Sequence, residues 1–349
     1  MKKYLFPIAF GLTAVIGISC NFETQQKPEI PVTLQSYHGR SIVFYNVENL
    51  FDTINQTDVI DEEFLPDGKL QWTKQRYQTK LDHLSQVITT NLKENPVLIG
   101  LAEIENGSVV LDLAKTGRLA NTKYKLAHKD SPDARGIDCA LLYDSDRFKP
   151  LVITNLLVSI DSIPDFKTRD ILYVKGELQG KRTMHIFVNH WPSRRGGEAE
   201  SEIKRIRAAE VARAKIDEIL KDDPKANIIL MGDFNDHPNN KSIENILKAK
   251  QITDKKADLY NLLYDDHLAG LGTHNYNNEW GVLDQFIVSK ALYKGKRKIK
   301  LLTKDAVIVK EDFQLYTAGD GTKKPATTYG GSKYFGGYSD HLPIQLTLK

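Results

Sequence analysis

Only two cysteines, Cys20 and Cys139, occur in 349 residues. Cys20 falls in what reads as a processing segment, so Cys139 is left alone and no intramolecular disulfide can staple the fold. A nucleophilic role for the lone thiol is not expected either. Cys139 lies in the apolar run 137–143 and reads as a small buried hydrophobe.

An excess of either charge is also missing: 48 Lys and Arg face 45 Asp and Glu, for a net charge of +3. A protein that tracks phosphates over its whole surface shows a basic excess, so any nucleic-acid contact here is local. The densest basic run, Lys294-Gly295-Lys296-Arg297-Lys298-Ile299-Lys300, reads as a solvated loop or strand edge. Long apolar runs are absent too. Residues 4–18, behind Lys2 and Lys3, are too few to span a bilayer and have the form of an export signal over residues 1–19. Ser19 directly before Cys20 resembles the bacterial lipoprotein signal, in which the cysteine becomes the lipidated first residue, although Gly17 stands where that pattern prefers Leu. The mature protein is therefore expected outside the cytoplasm, secreted or held at the outer membrane or cell surface through Cys20.

Residues 21–38, polar and carrying Pro28 and Pro31, read as a flexible tether. No repeat, low-complexity tract or composition shift follows, so residues 39–349 are expected to form one catalytic domain, as a monomer. Apolar runs of strand length fall at 41–47, 96–103, 137–143, 183–189, 227–231, 282–289 and 342–348. Helices are expected to start near Trp72, Glu198 and Lys241, with buried stripes of Tyr77, Leu81, Leu84 and Ile88 in the first and Ile203, Ile206, Val211, Ala214, Ile219 and Leu220 in the second. The economical architecture is an α/β fold with a two-layer β core and helices outside.

What the chain does have is a set of polar islands, nearly all at the ends of these apolar runs. They are Asn46-Val47-Glu48-Asn49, Ala102-Glu103-Ile104, Gly136-Ile137-Asp138, Asn189-His190-Trp191, Gly232-Asp233-Phe234-Asn235, Leu283-Asp284-Gln285 and Ser339-Asp340-His341. A strand end holds a polar group rigidly while exposing it. Carboxylates, amides and two imidazoles without thiols suit a hard divalent cation and a phosphate ester. Asp233 and Asn235, at i and i+2, can project to one side and hold a phosphate oxygen and a reacting water. His341 is a candidate base oriented by the Asp284 carboxylate. Glu103 closes an apolar run, where a carboxylate is costly unless paired or bound to a cation. Asn46 could lend an amide oxygen to the same metal, and Glu48 could help hold it. The Arg194 and Arg195 forks match phosphate geometry beside Gly196-Gly197. Asp138 is expected to pair with His190. The stretch 272–280 offers aromatics that could stack on a base or simply shape a loop.

Taken in order, Asn46, Glu103, His190, Asp233-x-Asn235, Asp284 and Ser339-Asp340-His341 resemble the endonuclease/exonuclease/phosphatase superfamily, whose fold is that of pancreatic deoxyribonuclease. The likeness covers essentially 41–349. The opening Phe44-Tyr45-Asn46-Val47-Glu48-Asn49-Leu50-Phe51-Asp52 further resembles a bacterial branch of extracellular nucleases. The resemblance implies a four-layer α/β/β/α sandwich with the site at one end of two packed mixed sheets. It implies Mg²⁺ or Mn²⁺, with Ca²⁺ an alternative, held by Glu103 with Asn46 and Asp340. It further implies His341 and Asp284 acting on the attacking water, Asp233 and Asn235 on the phosphate, and His190 on a phosphate oxygen and the leaving group. His190 favours the branch with two catalytic histidines, which includes deoxyribonucleases, sphingomyelinases and inositol-phosphate phosphatases. DNA or RNA is the leading substrate; phospholipid head groups, inositol phosphates and other small esters are the alternative.

Overall fold

The runs that read as strands are apolar almost without alternation, and the fold explains why. In β1 (Arg40–Leu50) both faces are covered: Ile42 and Phe44 enter a core between two sheets, while Val43, Tyr45 and Val47 pack outward under helices. The computed structural model describes residues 40–57, 59–179, 182–295, 299–301 and 306–349, all within one compact unit. The export signal, Cys20, the tether, and Lys296, Arg297 and Lys298 lie outside the described residues.

The first sheet uses β1, β2 (Leu98–Ile104), β3 (Tyr124–His128) and β4 (Asp138–Asp144). Its six strands run in the order Val307–Ile308, Ile344–Leu348, β1, β2, β4, β3. β1 is parallel to β2 and antiparallel to the C-terminal strand. The second sheet has seven strands, ordered β5 (Phe148–Leu156), β6 (Ile171–Leu178), β7 (Arg182–His190), β8 (Asn227–Asp233), Asp284–Ser289, Leu259–Asn261 and Ala249–Lys250. Between the sheets Ile42, Phe44 and Leu141 meet Val174, Ile186, Met231 and Phe286. The approach is close enough that a Cβ on Gly100 would sit 2.8 Å from the Met231 sulfur, which accounts for a glycine in mid-strand.

Helices close the outer faces. α1 (Lys74–Thr89), capped by Thr73, and α2 (Gly107–Ala114), capped by Asn106, cover the first sheet. α3 (Glu198–Asp222) covers the second, which makes the four-layer α/β/β/α sandwich. Two expectations need correcting. The α3 face that meets the sheet is Ala208, Ala209, Ala212, Ile216 and Ile219, whereas Ile203 is exposed. Alanines let the helix lie close to the sheet, and the long side chains of Arg205 and Arg213 on that face are neutralised by Asp236, Asp217 and Asp258. The helix expected from Lys241 is only a short turn, Ser242–Ile246.

Candidate active site

Register brings the polar islands together. In the second sheet His190 lies opposite Asp233, and Asp233 opposite Asp284, so three strands deliver their acids and imidazole in one row. The β7–β8 approach demands Gly232, because a Cβ there would meet the Asn189 carbonyl oxygen at 2.4 Å. In the first sheet Asn46 pairs with Ala102, and the ladder is broken by bulges immediately after Asn46 and at Glu103. The bulged residues adopt left-handed backbone: φ is 50° at Glu48, 54° at Asn49 and 64° at Glu103, and Asn235, two residues past the end of β8, has φ of 51°. Such conformations cost about 1–3 kcal/mol each and persist where the surroundings over-determine them. At Glu103 the bulge turns the carboxylate toward Asn46 and His190, whereas Glu48 turns toward Thr327 and Thr328.

The Asn46 carboxamide joins the two sheets. Its Nδ2 donates to Asp233 Oδ2 at 3.1 Å and to Glu103 Oε1 at 3.4 Å, and its Oδ1 accepts from the Glu48 amide at 3.0 Å. The Asn49 amide donates to Glu103 Oε2 at 3.0 Å. Asn235 donates its backbone N–H to Asp233 Oδ1 at 2.9 Å and its Nδ2 to the Trp191 carbonyl at 2.9 Å. His190 Nε2 lies 3.6 Å from Asp233 Oδ2 and 3.7 Å from Glu103 Oε1. His341 Nδ1 lies 2.7 Å from Asp284 Oδ2, and its Nε2 is 3.8 Å from Asp233. Ser339 fixes this turn by donating its hydroxyl to the Asn46 carbonyl and accepting from the His341 amide.

The electrostatics follow from burying so many acids. Burial raises the pKa of Glu103, and the facing Asp340 carboxylate adds to the rise. Burial likewise raises Asp233, against the opposing pull of His341. For His341 burial disfavours the charge, yet Asp284, Asp233 and Asp340 outweigh it and hold the imidazole well above its usual range. His190 goes the other way: burial, then Arg169 and Arg135, push it well below. It is a neutral ring, able to donate a hydrogen bond but poorly suited to storing a proton. A divalent cation fits these residues. Glu103 and half-exposed Asp340 are hard oxygen donors, the negative charge of Asp340 raises the cost of ionising Glu103, and a cation held by both would relieve it.

Several sequence expectations are corrected. Asp138 does not pair with His190: its carboxylate lies 3.0 Å from His128 Nε2 and accepts from the Ser131 amide and hydroxyl. Arg194 is committed to the Asn235 carbonyl, Asp236, Asn240 and Glu198, so it braces the loop instead of presenting a free fork. Arg195 stays exposed. Asn46 turns its amino group, not its oxygen, toward the acids. Glu48 accepts from the Thr327 hydroxyl and the Thr328 amide and pairs with Lys80 at 3.6 Å, so its carboxylate is tied to that wall.

Other residues went unnoticed in the sequence. Lys80 is fully buried and donates to Thr328 Oγ1 and the Tyr338 carbonyl. Its position between Tyr77 and Leu84 on the apolar stripe of α1 was the available signal. Thr273 accepts the backbone N–H of Asp284 at 3.1 Å, and nothing in its sequence context marks it. His274 heads the hairpin His274–Tyr276/Glu279–Gly281 and packs against His341 with the rings tilted at 40° and their centroids 4.7 Å apart.

Two clefts open near these residues. One of about 210 Å³ is bordered by Glu48, Asn49, Trp72 and Tyr329. The other, about 890 Å³, is bordered by Asn235, Arg195, His274, Tyr276 and Trp280.

No curated protein matches the chain in sequence. Among solved structures it is similar to a mannosyl-6-phosphatase of Bacteroides thetaiotaomicron, at 16% identity and TM-score 0.55 over 89% of this chain and 100% of that one. An endonuclease/exonuclease/phosphatase family protein of the same organism aligns at 16% identity and TM-score 0.53, over 89% and 97%. The human nocturnin catalytic domain with bound sulfate aligns at 16% identity and TM-score 0.53, over 89% and 94%. These likenesses share the fold. Residues 41–349 match the model of the endonuclease/exonuclease/phosphatase family, and the chain is a phosphoesterase that belongs to that family.

Proposed function

We propose that the chain is a metal-dependent phosphodiesterase whose substrate is nucleic acid, DNA or RNA, and that it works outside the cytoplasm, anchored through lipid at Cys20 or secreted. The observation that carries this reading is the cleft of about 890 Å³ that opens at Asn235 and His274, on the edge of the cluster, and runs past Arg195, Tyr276 and Trp280. A polymeric diester needs such room beyond the phosphate being cleaved, whereas a small monoester does not. Exposed Tyr276, and Trp280 with one face covered by Lys310, line the larger cleft where a base could stack.

In this reading Glu103 and Asp340 hold Mg²⁺ or Mn²⁺, with Asn46 steadying Glu103. The cation supplies Lewis-acid stabilisation of the charge that builds on the phosphoryl oxygens. With a cation at Glu103 and Asp340 offsetting the acids that raise the His341 pKa, the ring, oriented by Asp284, is free to take the proton of the attacking water. Asn235 and the neutral His190 ring donate hydrogen bonds to phosphate oxygens, and Asp233 fixes both through the Asn235 amide and its position beside His190. Arg195 and exposed Arg135 are the guanidiniums placed to meet phosphates further along the substrate.

The near-neutral charge favours the second reading, a phosphatase of small phosphate esters. A comparison of bis(p-nitrophenyl) phosphate, p-nitrophenyl phosphate, plasmid DNA and RNA under Mg²⁺, with and without EDTA, separates the two. The proposal expects diester and polymer cleavage that weakens steeply with salt. A preference for the monoester with little salt dependence would overturn it.

A further inference from the structure

His274, Asp340 and His341 bring one ligand atom each to within 4.8 Å of one another. The closest approach of His274 to the carboxylate is 4.0 Å, from Nε2 to Asp340 Oδ2. A backbone bridge between His274 and His341 holds the hairpin against the turn that carries the other two ligands, so the three are delivered by two rigid pieces of chain. Asp284 occupies Nδ1 of His341, which leaves Nε2 as the ligand atom and supplies the carboxylate–histidine support that orients metal-binding imidazoles. Asp340 is about half exposed and His274 about one-fifth, so a hydrated ion can reach the group from the larger cleft.

Two imidazole nitrogens and one carboxylate oxygen are a borderline donor set. It is poorly matched to Mg²⁺, which asks for oxygen in an octahedron, and well matched to Zn²⁺, which accepts nitrogen and oxygen at a tetrahedral site with a fourth position left for water. We propose that His274, Asp340 and His341 form a Zn²⁺ site that inhibits the enzyme, distinct from the position at Glu103. Binding there takes Asp340 away from the Glu103 side and blocks the Nε2 atom of His341. The inhibitory consequence rests on the roles given above to Asp340 and His341; the binding itself does not.

The test has two arms. In the first, Zn²⁺ is titrated calorimetrically into metal-free protein, alongside His274→Gln and, as a control from another histidine and aspartate cluster, His128→Gln. One Zn²⁺ is expected to bind, with affinity about tenfold or more weaker in His274→Gln and unchanged in His128→Gln. Thermal melts with and without Zn²⁺ report the same linkage and show that each variant is folded. Equal affinity in wild type and His274→Gln, or a loss confined to His128→Gln, would overturn the site. In the second arm, Zn²⁺ is added to the Mg²⁺-supported diester assay. Inhibition that His274→Gln shifts to higher Zn²⁺ is expected, and activation by Zn²⁺ would overturn the inhibitory role. A protein that binds Zn²⁺ through His274 yet cleaves no phosphate ester under Mg²⁺ would sink the proposed function and leave the site standing.

Discussion

His341, just ahead of the C-terminal strand of the first sheet, and Asp284, at the start of a strand of the second, are 57 residues apart, yet His341 Nδ1 lies 2.7 Å from Asp284 Oδ2. The carboxylate is completely buried, and Thr273 fixes the backbone at its root. Such a pair sets which ring nitrogen carries the proton and leaves the other as a base. Asp284→Asn keeps the shape and reverses that preference. Its kcat should fall about 10²- to 10⁴-fold with KM nearly unchanged and the circular dichroism spectrum intact. A kcat within a few-fold of wild type would remove Asp284 from the mechanism.

Lys80 and Glu48 make a second pair, 3.6 Å apart and almost entirely out of solvent. Removing one member of a buried ion pair strands the other, at a cost of about 3–5 kcal/mol. Lys80→Met should lose stability on that scale in urea unfolding, and the double variant Lys80→Met with Glu48→Gln should recover much of it. A single variant as stable as wild type would show that the pair holds nothing together.

The acid side of the stability curve has a marker far from the site. His185 is buried on β7, with Nδ1 2.7 Å from the Tyr173 hydroxyl, and burial, with the charge of Lys175, pushes its pKa down to about 4. The unfolded chain protonates this ring near the usual value of about 6.5. The unfolded state therefore binds more protons between those values, and stability that is full above the higher one is lost as pH falls toward the lower. His185→Gln should flatten that part of the profile by about 2 kcal/mol. An unchanged slope in denaturant melts across this window would contradict the assignment.

Most central strands were legible in the sequence because both of their faces are buried, so their apolar runs stand out without alternation, but β6, whose run is interrupted by Lys175 and Glu177, was not. The edge strand β5 was not, since Leu151 and Val152 are exposed and the pattern is diluted. The α3 stripe misled because a helix lying close to a sheet packs alanines, leaving Ile203 outside. The row of His190, Asp233 and Asp284 could be anticipated, as each ends or begins an apolar run. The partner of Asp138 could not. His128 and Ser131 reach it through a turn whose geometry no spacing rule fixes. Lys80 was hidden by the habit of reading lysine as surface, and Glu48 gave no sign that its partner lay on α1.

The account stands on a cation held by Glu103 between the two sheets, and a Mg²⁺ activation curve for diester hydrolysis tests that most directly. Wild type should be silent in EDTA and recover as Mg²⁺ is restored, while Glu103→Gln should remain at least about 10²-fold below it at every Mg²⁺ concentration. Hydrolysis that persists in EDTA, or a Glu103→Gln curve that overlays wild type, would contradict it.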